Sequence, residues 1–171
     1  DVKSELGKGS TFTVTLKHKI ADACYYVKKK NENSDLDYEG LDGKHILLAE
    51  DNDLNAEIAV TILERAGLQI DRVENGIECV NKVIENPCGA YDLILMDIQM
   101  PKMDGYKATK EIRNLQDQDK AIIPIVAMTA NAFEEDKKKA FDAGMDGHIA
   151  KPINIEDLFV VLTDILNKQK S

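Results

Sequence analysis

Asp92-Leu93-Ile94-Leu95-Met96-Asp97 is a short apolar run that ends in a single carboxylate. A run of this kind is typical of a strand buried on both faces, as the strands of parallel sheets are. Three further apolar runs also end in polar groups, namely Glu50-Asp51, Thr129 and Lys151. Because open α/β sheets bind ligands outside the carboxyl ends of their strands, we expect these groups to converge at one edge.

Short apolar runs alternate with amphipathic stretches over most of the chain, which is typical of βαβ units. The predicted strands are 45–50, 69–74, 91–97, 123–129 and 147–151, and the second, which is the most polar, is expected at a sheet edge. The first predicted helix begins at Asn52 or Asp53 and ends at Gly67, and the second covers 77–84 and ends before Pro87. The other three predicted helices span about 105–115, 132–143 and 155–167. This alternation predicts an α/β, flavodoxin-like (βα)5 fold, a doubly wound parallel five-stranded sheet with helices on both faces.

The first forty residues have a different character. Residues 11–16 alternate polar and apolar side chains after the turn Gly7-Lys8-Gly9-Ser10, which predicts one strand of an N-terminal hairpin. A hairpin alone is marginally stable, so we expect another part of a larger protein to cover its apolar face. The segment 25–43 is mostly polar and charged and is therefore predicted to be a linker.

Composition excludes several classes of partner. The 171 residues carry a formal net charge of −9, which argues against direct contact with nucleic acid or an anionic membrane. No apolar stretch reaches the roughly 20 residues that span a bilayer. Cys24, Cys79 and Cys88 are odd in number and lack C-x-x-C spacing, so a reducing, cytoplasmic location is expected.

The three acids predict a cation site. Two carboxylates about 4 Å apart repel by roughly 4 kcal/mol at an effective dielectric of 20, so clustered acids need a counter-charge. Oxygen ligands without nearby His or Cys favour a hard ion, and a sparse set favours Mg²⁺. Asp97, at the end of the most apolar run, could then accept a phosphoryl group as nucleophile, with Lys151 and Thr129 contacting phosphoryl oxygens.

Four motifs in order resemble the receiver domain of two-component signalling, in the form found in hybrid sensor histidine kinases. They are Leu-Ala-Glu-Asp-Asn at 48–52, Leu-Ile-Leu-Met-Asp-Ile-Gln-Met-Pro-Lys-Met-Asp-Gly at 93–105, Ala-Met-Thr-Ala at 127–130 and Ala-Lys-Pro at 150–152. The resemblance covers about Gly43 to Lys168. It implies that Asp97 is the phosphoacceptor and that Mg²⁺ is bound by Asp51, Asp97 and the Gln99 backbone carbonyl, with Glu50 acting through water.

The resemblance also implies a conformational switch. Thr129 would report phosphorylation, Lys151 would neutralise the phosphoryl group, and the peptide bond between Lys151 and Pro152 would be cis. Three residues before the lysine, receivers commonly carry Tyr or Phe as a switch aromatic, whereas this chain carries His148. The imidazole is smaller and titratable, so either the switch is altered or His148 is a partly exposed polar edge residue.

The segment Ser4 to Leu16 resembles the last strands of a histidine-kinase ATP-binding domain. The resulting division is a kinase remnant at 1–20, a linker at 21–43, a receiver domain at 44–168 and a tail at 169–171. None of the three histidines has an H-E-x-x-R-like context, and no glycine-rich ATP lid is present. The chain is therefore expected to catalyse only the phosphorylation and dephosphorylation of its own Asp97.

The leading hypothesis is a phosphorelay receiver. A phosphohistidine on the dimerisation domain of the parent kinase would donate to Asp97, and a histidine phosphotransfer protein would take the group onward. Alternatives are a Mg²⁺-dependent phosphatase with an aspartyl nucleophile, disfavoured because D-x-D-x-T is absent at residue 97, and a flavodoxin-like cofactor binder, disfavoured by the acidic turn 51–55. An interaction module that never takes phosphate is a further alternative. Membrane anchoring of the parent kinase stays open.

Overall fold

The computed structural model describes residues 1–5, 7–15, 41–130 and 134–168. The chain divides into two units, Asp1–Leu36 and Asp37–Ser171, and each is considered by itself. The predicted linker falls mostly outside the described residues. Among the described residues, no helix combines the length and the apolar character required to cross a membrane.

The first unit contains a two-stranded antiparallel hairpin, as the alternation predicts. Strand β1 (Val2–Glu5) pairs with β2 (Gly9–Phe12), and Val2 lies opposite Phe12. The predicted strand 11–16 is shifted, because β2 begins at Gly9 and ends at Phe12. Beyond this pairing the Thr13 amide still donates a 2.8 Å hydrogen bond to the Asp1 carbonyl, and residue 16 lies outside the described residues.

The second unit is built on a five-stranded parallel sheet. Its strands are β3 (His45–Ala49), β4 (Gln69–Val73), β5 (Leu93–Asp97), β6 (Ile125–Thr129) and β7 (Gly147–Ala150). They lie in the order β4-β3-β5-β6-β7, and each hydrogen-bonded pair is parallel. The polar β4 is an edge strand and the apolar β5 is central, so the flavodoxin-like fold and the edge position of the second strand are confirmed.

Helices follow the strands as the hydrophobic periodicity predicts. They are α1 (Asp53–Glu64), α2 (Gly76–Glu85), α3 (Gly105–Arg113), α4 (Gln118–Ala121), α5 (Glu134–Asp142) and α6 (Ile155–Lys168). The side chain of Asn52 caps α1 by accepting a hydrogen bond from the Asn55 amide. The short α4 was not predicted, because four residues show no helical period; Asp117 nucleates it by accepting from two amides. The predicted start of α5 at residue 132 lies outside the described residues.

The core forms two apolar layers, one on each face of the sheet. Leu48 and Leu95 pack with α1 and α6 on one face. Ile94 and Met96 pack with α2, α3 and Ala140 of α5 on the other. Because strand residues alternate between the faces, the unbroken apolar run of β5 supplies both layers. The central strand is therefore inaccessible except at its carboxyl end.

A polar contact ties the edge strand to this core. The Tyr91 hydroxyl donates a 2.6 Å hydrogen bond to Asp71 of β4, and the ring of His45 on β3 lies beside Tyr91, with the ring centroids 4.8 Å apart. His45 Nε2 is 3.5 Å from the other Asp71 oxygen. The Tyr91 hydrogen bond, followed by the nearby His45, lowers the pKa of the Asp71 carboxyl. The carboxylate form therefore stabilises the attachment of β4.

We expect this contact to make the unit acid-sensitive. Since the pKa of Asp71 is lower in the folded state, its contribution is complete above the unfolded-state value, about 3.9, and is lost as the pH falls through the folded value. Tyr91→Phe removes the main cause of the lowered pKa. Urea unfolding at neutral and acid pH should therefore show a smaller acid-induced loss of stability in Tyr91→Phe than in the wild type.

Asp164→Asn is the control, because Asp164 is an exposed carboxylate on α6. This variant should keep the wild-type pH dependence. Parallel stability curves for the wild type and Tyr91→Phe would show that the Tyr91 bond does not set the protonation of Asp71.

Candidate functional site

The polar groups at the strand ends meet at one edge of the sheet. Glu50 directly follows β3, Asp97 ends β5, Thr129 ends β6 and Lys151 directly follows β7. These strands are neighbours and parallel, so their carboxyl ends lie side by side. The edge therefore gathers residues that are up to 101 positions apart in sequence.

Lys151 links two of the acids. Its Nζ lies 2.5 Å from Glu50 Oε2 and 2.7 Å from Asp97 Oδ2. Glu50 is 1% exposed and Asp97 5% exposed. A buried charge requires an opposite charge and hydrogen bonds, and one ammonium group provides both to two carboxylates. The three side chains form a closed cluster of charged groups.

Asp51 adds a third carboxylate and remains exposed to solvent. Glu50, Asp51 and Asp97 each offer one oxygen, and these three oxygens lie within 4.8 Å of one another. Lys151 supplies only one positive charge to them. The excess of negative charge and the all-oxygen donor set fit a hard divalent cation, which Asp51 leaves accessible from solvent.

Glu50 is held in place by more groups than the sequence indicated. Its Oε1 accepts from Asn55 Nδ2 at 3.1 Å and from the Asn52 amide at 3.4 Å, while Oε2 faces Lys151. Both oxygens are thus engaged within the protein. Asn55 was not predicted as part of the site, although its position three residues after the helix cap Asn52 places it within reach.

The loop after β5 folds back over the Asp97 carboxylate. The Gln99 amide donates a 3.1 Å hydrogen bond to Asp97 Oδ1, and the Gly105 amide donates a 3.0 Å bond to the Ile98 carbonyl. A Cβ atom at Gly105 would collide with the carbonyl oxygen of Asp97. Glycine therefore allows α3 to begin directly against the end of β5, and Gln99 itself is exposed.

The charges alter the ionisation of the cluster. Burial raises the pKa of the Asp97 carboxyl, and the nearby Lys151 offsets this effect only in part. Burial alone would lower the pKa of the Lys151 ammonium, but the hydrogen bonds to Asp97 and Glu50 outweigh it and raise the pKa. The lysine consequently stays charged, and a cation beside Asp97 would favour its ionised form.

Thr129 and Lys151 are joined through the backbone. The Lys151 amide donates a 2.7 Å hydrogen bond to the Thr129 carbonyl, and the peptide bond between Lys151 and Pro152 is cis, as the resemblance implies. Thr129 is buried and lines a cavity of 130 Å³ together with Gln99 and Tyr106. The cavity also adjoins α5, because Asp136 and Lys139 of that helix line it.

His148 lies on β7, before the carboxyl end of the strand where the acids gather. It is paired with Ala127, two positions before the pair of Thr129 with Ala150. Its half-buried ring stands nearly perpendicular to that of Phe141 on α5, with centroids 6.4 Å apart. His148 therefore connects β7 with α5 through its ring contact with Phe141.

A comparison with protein families identifies one match. Residues 46–163 match the model for the response regulator receiver domain. The chain is 40% identical over 126 residues to the peroxide stress-activated histidine kinase mak1 of Schizosaccharomyces pombe, and this alignment covers 73% of the chain. It is 39% identical over 118 residues, or 68% of the chain, to the sensor protein GacS of Pseudomonas syringae. The alignments span only 8% and 13% of these two relatives.

Solved structures show the same fold. One is the receiver domain of a sensor histidine kinase from Pseudomonas aeruginosa, which was solved with a magnesium ion coordinated in its active site cleft. It is 37% identical to this chain and superposes with a TM-score of 0.65. The match covers 73% of this chain and 98% of that one. A chain in the co-crystal structure of the Saccharomyces cerevisiae phosphotransfer protein Ypd1 and the Ssk1 receiver domain gives 31% identity and a TM-score of 0.69, covering 77% and 94%. Together with the family match, these similarities show that the chain belongs to the response regulator receiver domain family.

Proposed function

We propose that residues 44–168 form a phosphorelay receiver that takes a phosphoryl group from a phosphohistidine onto Asp97. The observation that carries this proposal is the burial of the Asp97 carboxylate beside Lys151 and two further acids. The excess negative charge favours a bound cation, while the ammonium favours an incoming phosphoryl oxygen. Lys151 pairs with only two of the three acids, so the cluster keeps an excess negative charge that a purely structural role would not require.

The transfer uses an Asp97 carboxylate oxygen as the nucleophile. The oxygen forms a bond to phosphorus while the phosphorus–nitrogen bond of the phosphohistidine breaks, and the electron pair of that bond returns to the imidazole nitrogen. The Gln99 amide and Lys151 hold the two Asp97 oxygens from different sides. These contacts fix the orientation of the nucleophile before a phosphodonor arrives.

Mg²⁺ is part of the proposal. Asp51, Asp97 and the Gln99 backbone carbonyl would hold the ion, and Glu50 would act through water because both its oxygens are engaged within the protein. When bound, the ion supplies positive charge that offsets repulsion between the acids and the phosphoryl group. The magnesium ion in the Pseudomonas aeruginosa relative supports this assignment.

After transfer, Lys151 is placed to neutralise the phosphoryl group and the Thr129 hydroxyl to donate a hydrogen bond to it. Movement of Thr129 would alter the adjoining cavity and the face that contains α5. We propose that His148 takes part in this switch, because it pairs with Ala127 of β6 and its ring contacts that of Phe141 on α5.

The donor and the next acceptor lie outside this chain. We propose that the donor is the dimerisation domain of a hybrid histidine kinase and the acceptor a histidine phosphotransfer protein, since hybrid kinases are relatives and one structural match was crystallised with Ypd1. In this arrangement 1–20 is a kinase remnant, 21–43 a linker and 169–171 a tail. The chain catalyses only its own phosphorylation and dephosphorylation, and its odd number of cysteines without C-x-x-C spacing supports a cytoplasmic location.

Phosphorylation gives a direct test. Incubation of the chain with Mg²⁺ and acetyl phosphate should add one phosphoryl group, detected by intact mass, and Asp97→Asn should abolish the addition because it removes the nucleophile. Asp164→Asn, the same change at an exposed aspartate of α6, should be phosphorylated like the wild type. Phosphate on Asp97→Asn, or none on the wild type, would contradict the proposal.

An apolar surface next to the site is the proposed docking region for the phosphotransfer protein. A cavity of 350 Å³ is lined by Ile58, Pro152, Ile153 and the site residue Lys151. It continues along α1, where Leu54 and Ile58 are 65% and 48% exposed. Exposed apolar side chains that adjoin a reactive carboxylate are placed to position a partner during transfer.

Ile58→Ser should therefore separate docking from chemistry. We expect transfer from phosphorylated Asp97 to a histidine phosphotransfer protein to slow by roughly tenfold, equivalent to about 1.4 kcal/mol of lost transition-state binding. Phosphorylation by acetyl phosphate should be unchanged because this small donor needs no protein surface. Val160→Ser, at a similarly exposed position on α6, is the control and should leave both rates unchanged. Equal effects of the two variants on protein-to-protein transfer would rule out this docking surface.

A further inference from the structure

Arg72 reaches from the edge strand β4 to the loop that carries the first two acids. Its Nε donates a 3.2 Å hydrogen bond to the backbone carbonyl of Glu50, and its Nη2 lies 2.7 Å from Asp53 Oδ1. The side chain is 27% exposed, whereas that of Asp53 is 88% exposed. The ion pair with Asp53 is therefore weak, and the charge-assisted bond to Glu50 is the more significant contact.

Two residues at the end of β4 form hydrogen bonds with the backbone amide and the backbone carbonyl of Glu50. The Glu50 amide donates a 3.0 Å hydrogen bond to the Val73 carbonyl, and the Glu50 carbonyl accepts from Arg72. That carbonyl belongs to the planar peptide unit that leads into Asp51. Fixing its direction also fixes the direction in which the chain continues to the exposed Asp51.

The Glu50 side chain does not need Arg72, because Lys151 and Asn55 already hold it. Asp51 is different, since it is exposed and its position depends on the backbone of the loop. Asp53, which receives the other arm of the guanidinium, begins α1. Arg72 therefore spans the loop from Glu50 to Asp53, with Asp51 between them.

We propose that Arg72 is a positioning residue for the metal site. Arg72 orients the Glu50–Asp51 peptide so that the Asp51 carboxylate faces Asp97. The inference rests on the proposed Mg²⁺ site. A planar guanidinium suits this role because its nitrogens donate in fixed directions to two acceptors at once, which a lysine ammonium does not reproduce.

An electrostatic role and a positioning role for Arg72 predict opposite changes in Mg²⁺ affinity when Arg72 is replaced. Loss of a positive charge beside three carboxylates would, by Coulomb's law alone, strengthen the binding of a cation. Loss of a group that orients a metal ligand instead weakens binding, typically by about tenfold or more. The direction of the change in Mg²⁺ affinity therefore distinguishes a positioning role from an electrostatic one.

The test compares Arg72→Gln and Arg72→Lys with the wild type in the full chain. Mg²⁺ dissociation constants are measured from amide chemical shifts during titration, and unfolding temperatures are measured without Mg²⁺. We expect Arg72→Gln to raise the dissociation constant about tenfold, and Arg72→Lys to raise it less because it keeps the charge without the planar fork. Arg65→Gln removes the same charge at the exposed C-cap of α1 and should change nothing.

The rate of phosphorylation by acetyl phosphate adds a second readout. If Arg72 acts through the metal, Arg72→Gln should be slow at low Mg²⁺ and reach the wild-type rate at saturating Mg²⁺. Unchanged or tighter Mg²⁺ binding in Arg72→Gln would overturn the inference, as would a rate that stays low at saturation. Arg72→Lys answers the same question if the glutamine variant does not fold. Absence of Mg²⁺ binding by the wild type would instead refute the proposed metal site.

Discussion

The ammonium group of Lys151 lies between two carboxylates that belong to different strands, and the site depends on this arrangement. Glu50 and Asp97 are almost completely buried, so without a shared positive charge their mutual repulsion would be large. The same lysine is tied by its backbone to the carbonyl of Thr129. One residue thus connects the ends of β3, β5, β6 and β7.

The sheet makes this arrangement possible. With β5 in the centre and its neighbours parallel, Asp97 is flanked by the ends of strands on both sides. Helices pack on both faces and close the other approaches, so a ligand meets the carboxylate only from the strand ends. Gly105 lets α3 start against Asp97. The loop between β5 and α3 therefore stays close enough to the Asp97 carboxylate for the Gln99 amide to contact it.

Much of the fold could be predicted because its signals are local. The five strands lie within two residues of their predicted bounds, since a buried parallel strand is an apolar run that a polar residue ends. Contacts made by long polar side chains across strands were not predicted. Arg72 and Tyr91 reach the Glu50 carbonyl and Asp71 across 22 and 20 residues, and no sequence period encodes such pairs. The short α4 was missed because four residues carry no period.

The sequence by itself determined which chemical groups end the strands, the order of the strands along the chain and the family to which the motifs point. Only the tertiary structure decided that Lys151 pairs with both Glu50 and Asp97, that Asn55 occupies the other Glu50 oxygen and that Arg72 holds the acidic loop. The physical reason is that strand periodicity is local, whereas hydrogen bonds depend on distances of a few ångströms between residues that only packing of the sheet brings together.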